Sequence, residues 1–159
     1  MALSKTVFIN RSSSKDARAA FAQAVETMHK ERQSVYIFPE GTRSYSTKPE
    51  MLPFKKGAFH LAVQAQVPIV PVVVANYSNI LNVKAKTFNA GTVPVSVLEP
   101  VETKGLTKDD VDALAAKIRK AMEEELVRIS RVAQEKGVAR PGREARGFAD
   151  GALQSSGVH

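Results

Sequence analysis

Val35-Tyr36-Ile37-Phe38-Pro39-Glu40-Gly41-Thr42-Arg43-Ser44 is the stretch that sets the fold of this chain. Its first four residues are β-branched or aromatic, the composition of an extended, buried segment. Pro39 has no N–H to give to a ladder, so strand pairing must stop there. The pattern predicts a strand over 35–38 running straight into a loop. Gly41 can adopt the positive φ that other residues resist, and it leaves room for a ligand beside the backbone. Thr42 and Ser44 offer hydroxyls, Arg43 a planar fork suited to phosphate, and Glu40 a carboxylate able to hold that fork. Two readings stay open on these residues alone. One is a ligand site at a strand end, where open α/β sheets bind ligands. The other is a turn closed by a Glu40–Arg43 ion pair.

Upstream, residues 5–9 are a short strand candidate ending at Asn10 and Arg11, so Arg11 also stands at a strand end. Ser13 and Asp16 have capping-box spacing ahead of an apolar helical face formed by Ala17, Ala20, Phe21, Ala24, Val25 and Met28. The polar run 29–33 closes that helix, and His29 reads as an exposed residue near its C-terminus, where positive charge is favourable. Ser12 and Lys15 have the Ser-x-x-Lys spacing of penicillin-recognising enzymes, but that family's other motifs are absent and the serines are explained as caps.

Downstream, residues 45–53 are rich in Ser, Thr, Lys and Pro and read as an ordinary surface connection. Residues 54–66 read as a helix, with Phe59, Ala62, Val63 and Gln66 at helical spacing. Lys55, Lys56 and Gly57 fall in its first turn. Free N–H groups there attract an anion, while the helix dipole disfavours a lysine pair. A bound phosphate or carboxylate and a solvated lysine pair both remain open. His60 reads as packed or hydrogen-bonded. Residues 69–75 are continuously apolar, the pattern of a strand covered on both faces. Pro68 and Pro71 delay its pairing to about Val72.

Residues 76–82 are turn-like, 84–88 an edge-strand candidate, and 89–92 a turn into a strand over 93–98. Thr107 and Asp110 form a second capping box. Behind it Val111, Leu114, Ala115, Ile118, Met122, Leu126, Ile129 and Val132 make a helical stripe that stops at Gly137. The Glu123-Glu124-Glu125 run reads as the solvated face of that helix. The composition after 137 holds little apolar content and is expected to be disordered, which divides the chain into a domain over 1–136 and a tail over 137–159. Strands alternating with helices give an α/β class: a mixed, mostly parallel sheet flanked by helices, in a sandwich.

A chain of 159 residues with 43% hydrophobic content suits one domain with a core of its own. The net charge of +7 points to an anionic partner without choosing among phosphate ligands, anionic lipid surfaces and nucleic acid. The absence of cysteine excludes a disulfide framework, a thiolate metal site and a cysteine nucleophile. No metal site is expected. The longest apolar run, 67–75, is far short of the ~20 residues that a membrane-spanning helix needs. Residues 1–5 are too short and polar for a signal peptide. No glycine-rich nucleotide loop and no nucleic-acid-binding motif is present, so a nucleic-acid partner is not expected.

Phe38-Pro39-Glu40-Gly41-Thr42-Arg43-Ser44 resembles the third conserved block of the glycerolipid acyltransferases, the family that includes the 1-acylglycerol-3-phosphate acyltransferases. Val7-Phe8-Ile9-Asn10-Arg11 is similar to the second block. Phe54-Lys55-Lys56-Gly57-Ala58-Phe59 is similar to the segment after the third, and Val67-Pro68-Ile69-Val70-Pro71-Val72 to the fourth. Order and spacing agree over roughly residues 5–98. The family's first block, a His followed five positions later by an Asp, has no counterpart. Ser34 stands five positions after His29 and Ala65 five after His60, while His159 is terminal. The expected architecture is therefore an acyltransferase-like sandwich that is N-terminally truncated.

The resemblance implies transfer of an acyl group from acyl-CoA, or a carrier-protein thioester, to the sn-2 hydroxyl of 1-acylglycerol 3-phosphate (lysophosphatidate), giving phosphatidate. Acyl-CoA enters as co-substrate, and no cofactor is implied. The carry-over places the acceptor's phosphate on Arg11 and Arg43, with Lys55 and Lys56 as further candidates. Glu40, Gly41 and Thr42 would shape the acceptor site, and Val67, Pro68, Ile69 and Pro71 would support the pocket. The parent protein would be membrane-associated, at the endoplasmic reticulum if eukaryotic. Catalysis is assigned to no residue of this chain. A non-catalytic member that binds phospholipid or a partner enzyme is the alternative.

Overall fold

The structure, a computed structural model, describes residues 14–137, with side chains over 22–134. Helix α1 (Ser14–Glu31) ends at Arg32, whose φ of 51° turns the chain out of the helix. Helix α2 (Gly57–Ala65) and strands β1 (Val72–Val74), β2 (Leu81–Asn82), β3 (Thr87–Phe88) and β4 (Val95–Val97) follow. A 3-10 turn, Lys108–Asp110, then leads into helix α3 (Val111–Gly137). The expected strand over 5–9, the Ser13 cap, Arg11 and the tail after 137 lie outside the described residues.

Helix α3 is the backbone of the core. Thr107 accepts a hydrogen bond from the Asp109 N–H, and Asp110 accepts from the Thr107 N–H and hydroxyl, so the predicted capping box forms. Those bonds hold the Asp110 carboxyl below its usual range. The predicted stripe is buried from Val111 through Leu114, Ile118, Met122 and Leu126 to Ile129. It packs on Phe59 and Val63 of α2 and on Val73 of β1. At the C-terminus of α2, Gln66 takes a left-handed conformation and the buried Thr103 hydroxyl is shared between the Ala62 and Val67 carbonyls. These contacts satisfy groups that a helix end leaves without partners.

Several expectations need correction. Residues 35–38 form no ladder among the described residues, and Tyr36 and Phe38 are 66% and 72% exposed, their rings in an edge-to-face contact. The ladders among the described residues, β1–β4 and β2–β3, are antiparallel. The physical reason is shared: the parallel neighbour that a strand–helix–strand crossover through α2 would give β1 is the 35–38 segment, which pairs with no strand among the described residues. The α/β class holds, while the mostly parallel sheet is not seen in this part of the chain.

Strand β1 is also covered on one face only by the described residues. Val73 is buried against α3, whereas Val74, Val95 and Val97 on the other face are 39%, 57% and 66% exposed. The edge strand expected over 84–88 is reduced to Thr87–Phe88, paired with Leu81–Asn82 in a short hairpin. Helix α2 starts at Gly57 rather than Phe54, because the Lys55 N–H is tied back to the Pro39 carbonyl at 2.7 Å. The acidic run of α3 is not simply solvated. Glu123 pairs with Arg119, and Glu125 meets Arg128 in a two-bond fork at 2.6 and 2.7 Å. The Arg128 guanidinium, with help from the Ser96 hydroxyl of β4, pulls the Glu125 carboxyl down to about 2.

Candidate functional site: a latched loop at the start of α2

The chain after Phe38 turns sharply. The Gly41 N–H donates to the Phe38 carbonyl at 3.1 Å, and Gly41 has a φ of +69°, the conformation for which glycine was the expected residue. A Cβ at Gly41 would stand 3.2 Å from Cγ of Lys55, so the turn lies directly against that lysine. Glu40 does not hold Arg43. Its carboxylate accepts a hydrogen bond from the Leu52 N–H at 3.0 Å, twelve positions on. Bringing the ends of the 40–52 segment together makes a compact Ω-type loop, a class of loop that often carries function.

Thr42 and Arg43 are exposed on this loop, and Arg43 makes no hydrogen bond or ion pair among the described residues. Lys55 is likewise exposed and in no ion pair there. The structure thus brings Glu40, Gly41, Thr42, Arg43 and Lys55 into one turn and its abutment. Lys56 behaves differently. It occupies the N-cap of α2, and its ammonium is 2.7 Å from Asp112 at the start of α3, an exposed pair across the surface. No side chain caps the α2 N-terminus. His60, expected to be packed or hydrogen-bonded, is exposed one turn into α2, and His29 is exposed near the end of α1.

The pocket-support candidates lie elsewhere. The Val67 N–H bonds to the Ala62 carbonyl at the C-terminal end of α2, Ile69 forms a bridge with Val101, and the Pro71 carbonyl accepts from the Leu98 N–H. Nine residues of helix at ~1.5 Å per residue separate this end from the Lys55 end. Pro71 instead lines a cleft of about 720 Å³ between the 98–102 segment and α3, whose walls carry both acidic and basic side chains: Glu99, Glu102, Glu124 and the paired Glu125 and Arg128, with Lys117.

The 45–53 segment is more than a surface connection. It is held by side chains from distant elements: Asn76 at the end of β1, Arg119 on α3, and Glu40. Sequence reasoning missed this. The partners are 12 to 68 positions apart along the chain, and the residues involved carry no local motif.

A model of the Acyltransferase family matches residues 1–75. The chain is similar to the 1-acyl-sn-glycerol-3-phosphate acyltransferase of Saccharomyces cerevisiae, with 46% identity over 129 residues, covering 81% of this chain and 43% of the relative. It is similar to the human 1-acyl-sn-glycerol-3-phosphate acyltransferase beta, with 49% identity over 137 residues, covering 86% and 49%. Among solved structures it is similar to the 1-acyl-sn-glycerophosphate acyltransferase PlsC from Thermotoga maritima. The TM-score is 0.54 at 26% identity, over 78% of this chain and 46% of that one. The chain thus spans about half the length of the relatives it matches.

Proposed function

Because the chain belongs to the glycerolipid acyltransferase family, we propose that its latched loop binds the phosphate of 1-acylglycerol 3-phosphate, the acceptor in an acyl transfer that yields phosphatidate. The observation that carries this reading is the abutment of the Gly41 turn on Lys55, with Arg43 two residues further on, exposed and in no ion pair among the described residues. A planar guanidinium and an ammonium beside an uncapped helix N-terminus suit a phosphate by charge, by hydrogen bonding and by the helix dipole. Glu40 serves the site indirectly: by accepting from the Leu52 N–H it fixes the loop and leaves the Arg43 fork uncommitted. The exposed rings of Tyr36 and Phe38, just before the turn, offer apolar surface to the acceptor's acyl chain.

In the reaction, the acceptor's sn-2 oxygen attacks the carbonyl carbon of a thioester, for which acyl-CoA is the proposed donor. The C–O bond forms and the C–S bond breaks. The hydroxyl proton passes to a base, and the departing thiolate takes up a proton. The family pattern assigns the base to a histidine with an aspartate five positions on, and none of His29, His60 and His159 has that aspartate. Arg43 and Lys55 therefore bind and orient the acceptor here, and no residue of the chain is assigned the proton transfer. Arg11 is proposed as a second phosphate ligand. No helix among the described residues is long and apolar enough to cross a membrane, and contact with a membrane surface is proposed.

Titration of the purified chain with glycerol 3-phosphate tests the site. The expected result is saturable binding that Arg43→Ala abolishes and Lys56→Ala leaves nearly unchanged. Binding insensitive to Arg43→Ala would overturn it.

A further inference from the structure

We propose that Asn76 is a positioning residue for the loop that carries Arg43, seated on α3 through Ser130. The inference rests on the reading of that loop as the acceptor's phosphate site. Asn76 is half-buried just past the end of β1, and its polar groups face three separate segments. Its side-chain amide donates both of its hydrogens to the loop, to the Ser46 carbonyl at 3.0 Å and the Lys48 carbonyl at 2.8 Å. Its Oδ1 accepts from the Ser78 N–H at 3.0 Å, which fixes which end of the amide points at the loop. Its backbone N–H donates to the Ser130 hydroxyl at 2.9 Å, and Ser130 is only 1% exposed within α3.

No other side chain type fits these roles as well. The two loop contacts need two donors on one atom, and the Ser78 contact needs an acceptor beside it, which is the inventory of a primary amide. An aspartate of the same shape would keep the Ser78 bond and set a carboxylate oxygen against two carbonyl oxygens. With Glu40 on Leu52 and Arg119 on the Met51 carbonyl at 3.2 Å, the returning arm of the loop is pinned at residues 46, 48, 51 and 52. Arg43 lies on the arm between the Gly41 turn and these pins. A loop ordered before binding does not lose that freedom when the ligand arrives, so its affinity is higher than that of a loose loop with the same side chains. Asn76 thus acts on the phosphate through Arg43 without touching it.

The test uses the full chain, glycerol 3-phosphate as probe, and two variants, Asn76→Asp and Asn76→Ala, the second in case the half-buried carboxylate prevents folding. Amide hydrogen exchange is followed at residues 44–50, with the β1 amides as internal reference. The expected result is faster exchange at 44–50 with β1 protection retained, together with about tenfold weaker binding of the probe. Unchanged exchange at 44–50 would overturn the proposal whatever the probe does. So would loosened exchange with unchanged affinity, in a protein whose binding Arg43→Ala abolishes. No binding by the unsubstituted chain would instead refute the phosphate-site reading, and with it the function given to Asn76, leaving the exchange result to report the pinning alone.

Discussion

The carboxylate of Glu40 accepts a hydrogen bond from the backbone N–H of Leu52 at 3.0 Å, closing a twelve-position span of chain. A bond from a neutral N–H to a carboxylate is stronger than one between neutral groups, and partial exposure moderates it. Glu40→Ala should lower stability by about 1–2 kcal/mol and speed exchange of the Leu52 amide. Glu40→Gln, which keeps an acceptor oxygen, should recover part of both. A stability loss in Glu40→Ala without faster exchange at Leu52 would show that this bond is not the latch.

Gly41 tests the turn from the other side. A side chain at its φ of +69° costs roughly 1–2 kcal/mol from backbone strain alone, and the new Cβ would also press on Lys55 at 3.2 Å. Gly105, with a φ of +82° and open space around it, offers the strain without the contact. Gly41→Ala should therefore destabilise the chain more than Gly105→Ala in chemical denaturation. The difference should shrink in a Lys55→Ala background. Equal losses in all backgrounds would mean that the turn does not rest on Lys55.

Glu125 makes a prediction about acid. Arg128 and Ser96 hold its folded pKa at about 2, below the ordinary 4.5. A carboxyl depressed on folding contributes stability that is fully present above pH 4.5 and is lost as the pH falls toward 2. Denaturation midpoints of the unsubstituted chain should fall through that window. Glu125→Gln should be less stable at pH 7, with a flatter profile between pH 4.5 and 2. Superimposable acid limbs would contradict the network.

The valine face of the β1–β4 ribbon bears on solution behaviour. Val72 pairs with Val97 and Val74 with Val95, so their side chains share one face, and Val74, Val95 and Val97 are exposed. Contiguous exposed apolar strand surface favours association. Size-exclusion chromatography with light scattering should show self-association that Val95→Lys with Val97→Lys reduces. A monodisperse monomer before substitution would count against this.

What the sequence made legible was local. The Thr107–Asp110 capping box, the α3 stripe, the start of β1 at Val72 and the positive φ of Gly41 all follow from residues within a few positions of one another. The exposure of Phe38 was not legible, because burial of a strand depends on a partner elsewhere in the chain. Lys56 read either as an anion ligand or as a solvated lysine, and its exposed pair with Asp112, 56 positions away, could not be seen in the local pattern. Glu125 looked solvated because Ser96 reaches it only once β4 lies on α3. The contacts of Asn76 with the 46–48 loop and with α3 span 28 to 54 positions with residue types that otherwise read as turn formers.

Taken alone, the chain should form no phosphatidate above background from lysophosphatidate and acyl-CoA, since no histidine in it has the paired aspartate. Activity that Arg43→Ala removes would contradict this and place the base among the chain's own residues.

The role proposed for Arg43, holding the acceptor's phosphate, is tested by the kinetics of Arg43→Lys in a longer form carrying the His-Asp block. Lysine keeps the charge and loses the two-pronged geometry. Loss of a charge-assisted hydrogen bond, ~1.5–3 kcal/mol, corresponds to roughly a ten- to hundredfold fall in kcat/KM. If Arg43 binds the phosphate, that fall occurs for lysophosphatidate, with its KM raised more than that of acyl-CoA. A rise confined to the acyl-CoA KM would put the donor at Arg43, and no change in either KM would remove Arg43 from the site.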